Sequence, residues 1–183
     1  DDHHLPAVES DAAEMSRILF LDIDGVLNPI PLRTFPRLDR TLPQRLARQS
    51  GNSDYLRIST TALQLAHESW DKESLALLRS LCEDYDLQIV ISSSWGIFYS
   101  LKELRLLFAL HDLAERIIAI TPYVGKRSEN ILAFIQAHPT IEAWISLDDL
   151  PMDAQFPRHA VTTHGRFHRE DAQRAARLLK QQL

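Results

Sequence analysis

An α/β fold with a mainly parallel sheet is predicted by three features of the 183-residue chain. Short, unbroken apolar runs recur along it. Amphipathic helical stretches separate those runs. The residues that follow the runs are acids, hydroxyls and bases. Continuous apolar runs of this length read as strands buried on both faces, as in parallel sheets. Their alternation with helices implies a sheet covered on both sides.

The first run, Arg17-Ile-Leu-Phe-Leu-Asp22, ends in an acid. Residues 28–70 break the pattern with Pro29, Pro31, Pro36, Pro43 and Gly51, and read as a small inserted flap or cap with helix near 42–49 and 60–67. Asp71 can cap a helix to about Tyr85 that places Leu75, Leu78, Leu81, Cys82 and Tyr85 on one face. Leu87–Ile91 is a second strand, and Ser100 caps a helix carrying Leu101, Leu104, Leu107 and Phe108. Ile117–Ile120, closed by Thr121-Pro122, is a third strand, followed by a helix over 128–137. Ala143–Leu147 is a fourth strand, 159–163 a fifth, and 169–182 a closing helix. Residues 1–14 are polar and acidic, without the basic start and apolar centre of a secretion signal, and read as a disordered leader or artificial remnant. One domain over 15–183 is expected.

No apolar run approaches the ~20 residues of a membrane span, so no membrane partner is expected. Cys82 is the single cysteine, which excludes an intrachain disulfide and is compatible with the cytoplasm. A formal net charge of −5 gives no global attraction for nucleic acid. Locally, however, Arg33, Arg37, Arg40, Arg45, Arg48 and Arg57 face only Asp39 and Asp54. That insertion is either a solvated flap or a basic wall that selects polyanions such as nucleic-acid ends. No obligate protein partner is evident.

Parallel sheets bind ligands beyond the carboxyl ends of their strands. Asp22 and Asp24 follow the first strand, Ser92, Ser93 and Ser94 the second, Lys126 and Arg127 the third, and Asp148 and Asp149 the fourth. In an extended segment Asp22 and Asp24 share a face, and Gly25 frees the backbone to turn. Carboxylates gathered in a dry cleft repel one another, and a hard divalent cation resolves that repulsion. Magnesium suits this best, because it takes one or two carboxylates plus water and phosphate oxygens. Asp22 could then attack phosphorus, with Asp24 as general acid and base. Ser92 and Ser93 would bind phosphate oxygens, and Lys126 or Arg127 would neutralise charge. An EF-hand is a poor alternative, since its glycine belongs at the sixth loop position and Gly25 is at the fourth. Ser94-Trp-Gly96 is not a serine-hydrolase elbow, because Ser92 stands where the first glycine should.

Phe20-Leu-Asp-Ile-Asp-Gly-Val-Leu27 resembles the first motif of the haloacid dehalogenase superfamily, DxDG(V/T)L after an apolar strand. Val90-Ile-Ser92 resembles the second motif, Lys126 the third and Leu147-Asp-Asp149 the fourth, in the family's order. The resemblance covers Arg17 to Leu183. Ile91-Ser-Ser-Ser-Trp95 together with Leu147-Asp-Asp149 looks most like the small domains of this superfamily associated with RNA-repair proteins. It implies a Rossmann-like three-layer fold with a variable cap, and a magnesium-dependent phosphatase with an aspartyl-phosphate on Asp22. It also implies metal ligands at Asp22, the backbone carbonyl of Asp24, and Asp148. Lys126 and Arg127 compete for the third-motif position. Asp148, Asp149 and Asp153 compete for metal and supporting roles. The substrate would be a phosphorylated small molecule or a nucleic-acid end; the alternative is a non-catalytic binding module.

Overall fold

The computed structural model describes residues 16–32 and 37–183, so the expected leader lies outside the described residues. Its five strands are β1 (Arg17–Leu21), β2 (Gln88–Ile91), β3 (Ile117–Ile120), β4 (Ala143–Asp148) and β5 (Ala160–Thr162). They form one sheet in the order β3-β2-β1-β4-β5. All four pairings are parallel, with Leu21 opposite both Ile91 and Leu147. The chain winds outward from β1 through β2 to β3, then returns to the other side of β1. A topological switch point therefore lies between β1 and β4, the place where such sheets open a crevice.

The helices are α1 (Leu42–Ser50), α2 (Thr60–Gln64), α3 (Lys72–Tyr85), α4 (Trp95–Phe98), α5 (Leu101–Ala109), α6 (Arg127–Ala137) and α7 (Arg169–Gln182). Asp71 caps α3 by accepting from the Ser74 amide at 2.8 Å, and Ser100 caps α5 in a reciprocal pair with Glu103. Alternate strand residues feed two cores. Leu19, Leu21, Ile89, Ile91, Ile145 and Leu147 join the larger one, with Leu75 and Leu78 of α3, Phe108 of α5 and Leu179 of α7. Ile18, Phe20, Val90 and Trp144 join the smaller one, closed by Ile131 and Phe134 of α6. Phe20 meets Phe134 and Trp144 edge-on at 5.7 and 5.5 Å. The result is the three-layer arrangement expected. Cys82 is a core residue, and burial pushes its thiol up to about 12.

Within the inserted stretch, Leu42, Leu46, Tyr55, Leu63 and Trp70 are buried in the larger core. The Tyr55 hydroxyl donates to the Leu106 carbonyl at 2.9 Å, and Asp54 pairs with Lys102 at 3.3 Å. These contacts dock the stretch against α5. Arg37, Arg40, Arg45, Arg48 and Arg57 all point into solvent, with Arg45 paired to Asp39. Arg33 lies outside the described residues.

Candidate active site

The backbone ladder continues one residue past the strands, and this sets the site. The Asp22 amide donates to the Leu147 carbonyl, and the Ser92 amide to the Leu21 carbonyl, each at 3.0 Å. Thr121 and Thr163 are tied in the same way to Ile91 and Asp148, each at 2.9 Å. Thr121, Ser92, Asp22, Asp148 and Thr162 thus form one row across the carboxyl edge, with Thr163 one residue beyond it. Asp22 and Asp148 stand beside each other at its centre, flanking the switch point.

Both central acids are buried, with exposures of 4% for Asp22 and 1% for Asp148. Asp149, exposed, completes a trio whose carboxylate oxygens, one from each residue, lie within 4.8 Å of one another. Gly25 makes room for it. Its φ is +80°, and a Cβ there would meet Asp149 Oδ2 at 2.5 Å. Arg127 reaches in from the first turn of α6, 2.6 Å from Asp148 Oδ2 and 3.3 Å from Asp22 Oδ1. Backbone amides complete the floor: Ile23 donates to Asp22 and Leu150 to Asp148, each at 2.9 Å.

Burial, and then the charge of Asp148, push the Asp22 carboxyl up to about 8, although Arg127 opposes the rise. Asp148 is also raised by burial, again against the pull of Arg127. Three carboxylates share one guanidinium, so the pocket carries two uncompensated negative charges when all are ionised. An all-oxygen donor set with that deficit fits magnesium. Asp22, Asp148 and Asp149 are the residues that could hold it.

Asp24 is placed differently from Asp22. Its Oδ1 accepts from Asn28 Nδ2 at 2.9 Å and its Oδ2 from Trp95 Nε1 at 3.0 Å, so its carboxylate stands outside the acid trio. The alternation expected from an extended segment stops because the strand ends at Leu21 and Asp24 enters a bridge with Asn28. Asp153 accepts from Thr162 Oγ1 at 3.0 Å and is likewise outside the trio.

Ser92 Oγ is buried and has no hydrogen-bond partner among the described residues, which leaves an unused donor beside Asp22. Ser93 Oγ accepts from the Trp95 amide at 3.2 Å and starts α4. Lys126, immediately before α6, is exposed and forms no ion pair among the described residues. Of the two competing cations, the structure brings Arg127 to the acids.

A cavity of about 460 Å³ opens beside the row, and its lining includes Ser92, Ser93 and Arg127 together with Ile97, Tyr123 and Leu150. None of its lining comes from residues 37–70. Sequence reasoning missed Asn28, Trp95, Thr163 and Asn130. Thr163 Oγ1 donates to the Gly25 carbonyl at 2.8 Å, holding the turn after β1. Asn130 Oδ1 accepts from the Val124 and Gly125 amides at 2.8 and 3.0 Å, shaping the loop before α6. Asn28 and Trp95 are the nearest to legible, since each adjoins a recognised motif. No helix among the described residues is long and apolar enough to cross a membrane.

Residues 18–172 match a protein family described as the HAD domain in Swiss Army Knife RNA repair proteins. Comparison with curated proteins and with solved structures gives no significant match.

Proposed function

We propose that this chain, which belongs to the HAD domain family of Swiss Army Knife RNA repair proteins, is a magnesium-dependent phosphomonoesterase that works through a phosphorylated Asp22. The family is in general one of hydrolases. The observation that carries the finer reading is the meeting of Asp22, Asp148 and Asp149 at adjacent strand ends, with Arg127 bridging two of them.

In this reading Asp22, Asp148 and Asp149 hold the cation, with the Asp24 carbonyl as a further candidate ligand. When bound, magnesium would neutralise phosphate charge and fix the phosphoryl group beside Asp22. The protein residues do the rest. A carboxylate oxygen of Asp22 bonds to phosphorus as the bond from phosphorus to the leaving alcohol breaks. Asp24 gives that alcohol its proton, then takes one from the water that releases phosphate and frees Asp22. The Ser92 hydroxyl, lacking a protein partner, donates to a phosphoryl oxygen, with Ser93 beside it. Arg127 provides the positive charge that the transferred group needs, and can turn to it once a cation relieves the acids. Lys126 lies one residue away as an auxiliary cation for substrate.

A second reading concerns the substrate. The family description names RNA repair, and five exposed arginines stand on residues 37–57. Both support the phosphorylated end of a nucleic acid as the natural ester. The test is phosphate release from mononucleotides, sugar phosphates and end-phosphorylated oligonucleotides, with and without EDTA. Magnesium-dependent release is expected, and it should be strongest on oligonucleotides if the second reading holds. Absence of turnover on every ester would favour a binding module instead.

A further inference from the structure

Resting on the phosphohydrolase reading, we propose that the cavity beside the acids is a leaving-group subsite for a flat, uncharged ring carried by the phosphate ester. Its lining combines two chemistries. The buried, unpartnered Ser92 hydroxyl and Arg127, the only charged side chain in the lining among the described residues, can take an anionic group. The other lining side chains are neutral, and Ile97, Tyr123 and Leu150 add apolar surface. An occupant with one anionic group and an otherwise neutral body matches that lining.

The apolar wall is also unusually open to water. Ile97 of α4 is 54% exposed, Tyr123 after β3 is 74% exposed and Leu150 after β4 is 49% exposed, and all three line the cavity. Exposed apolar side chains gathered around one cavity mark a binding surface, whereas isolated ones do not. Tyr123 among them is aromatic and favours a planar partner by stacking. The wall is held in place. Gly96 lets α4 approach β3 so closely that a Cβ there would meet Ile120 Cγ2 at 2.5 Å, and Asn130 ties the loop bearing Tyr123 to α6. The volume, about 460 Å³, lies within the range of small-molecule sites.

The test compares esters that share a leaving hydroxyl but differ in the ring: adenosine 5′-monophosphate with ribose 5-phosphate, and benzyl phosphate with methyl phosphate. The ring-bearing member of each pair is expected to have a kcat/KM about tenfold higher, and Tyr123→Ala should bring each ratio to about one. A gain in both pairs means that any flat ring suffices, and a gain with the nucleotide alone identifies a nucleobase site; both support the subsite. Ratios near one in the unaltered protein would overturn it, as would an equal loss on all esters in Tyr123→Ala. Calorimetry of adenosine 5′-monophosphate and ribose 5-phosphate on the Asp22→Asn protein reads the same preference without turnover. Equal affinities there overturn the subsite, whereas a lack of turnover by the unaltered protein on every ester overturns the phosphohydrolase reading.

Discussion

The floor and the wall of the site are built on opposite terms. On the floor, Asp22 and Asp148 are buried charges held by backbone amides and by one arginine. On the wall, Ile97, Tyr123 and Leu150 are largely apolar side chains standing in water. Burying charge is expensive, which makes the buried acids of the floor candidates for chemistry. Exposed apolar groups contribute little to folding, so the wall is free to follow the substrate. Substitutions on the floor should therefore move activity and stability together, while those on the wall should move selectivity alone.

The largest effect is expected from Asp22→Asn. Loss of the proposed nucleophile should lower phosphate release by roughly four orders of magnitude or more, while circular dichroism shows the fold retained. Next comes Arg127→Ala, which leaves two buried carboxyls without their cation. Urea unfolding of the metal-free variant should show a loss of about 3 kcal/mol, partly restored by magnesium.

The pH dependence sharpens the contrast. The folded protein holds a proton on Asp22 up to about 8, whereas the unfolded chain releases it near 3.8. Between those values the folded state binds more protons, so the stability of the metal-free protein should fall as pH rises through this window. Magnesium needs the carboxylate, so its affinity should rise over the same window with release of protons. Thermal melts at several pH values, with magnesium and with EDTA, check both signs.

Trp95→Phe tests the helix that carries the wall, because the indole N–H at the start of α4 donates to Asp24. Loss of that charge-assisted bond should lower kcat about tenfold and leave KM nearly unchanged. A matching rise in KM would instead assign Trp95 to substrate binding. The smallest effect belongs to Phe98→Ser, beside Ile97 at the end of α4, whose unfolding free energy should stay within about 0.5 kcal/mol of the unaltered protein. A larger loss would show that the wall is part of the fold and would break the contrast.

The floor was largely legible in the sequence because parallel strands announce themselves as apolar runs and ligands gather where such runs end. Position alone brought Asp22, the serines at 92–94 and the acids at 148–149 to strand ends, while the choice among Asp148, Asp149 and Asp153 stayed open. The choice between Lys126 and Arg127 could not be read from position. It depends on where α6 begins: Lys126 precedes the helix and faces solvent, whereas Arg127 opens it and faces the acids. Asp24 was placed beside Asp22 by strand alternation, which stops at Leu21 and gives way to the turn bridging Asp24 and Asn28. α4 has four residues and therefore no periodicity to detect, so the wall it carries was invisible. Proline and arginine in residues 28–70 obscured the regular spacing of Leu42, Leu46 and Leu63, which the larger core buries.

The most direct test of the account is acid quenching during turnover, followed by mass spectrometry of the peptide that contains Asp22. The account predicts a phosphoryl adduct on Asp22 that disappears with EDTA and in Asp22→Asn. Steady turnover with no adduct on Asp22, or with full activity in Asp22→Asn, would contradict it.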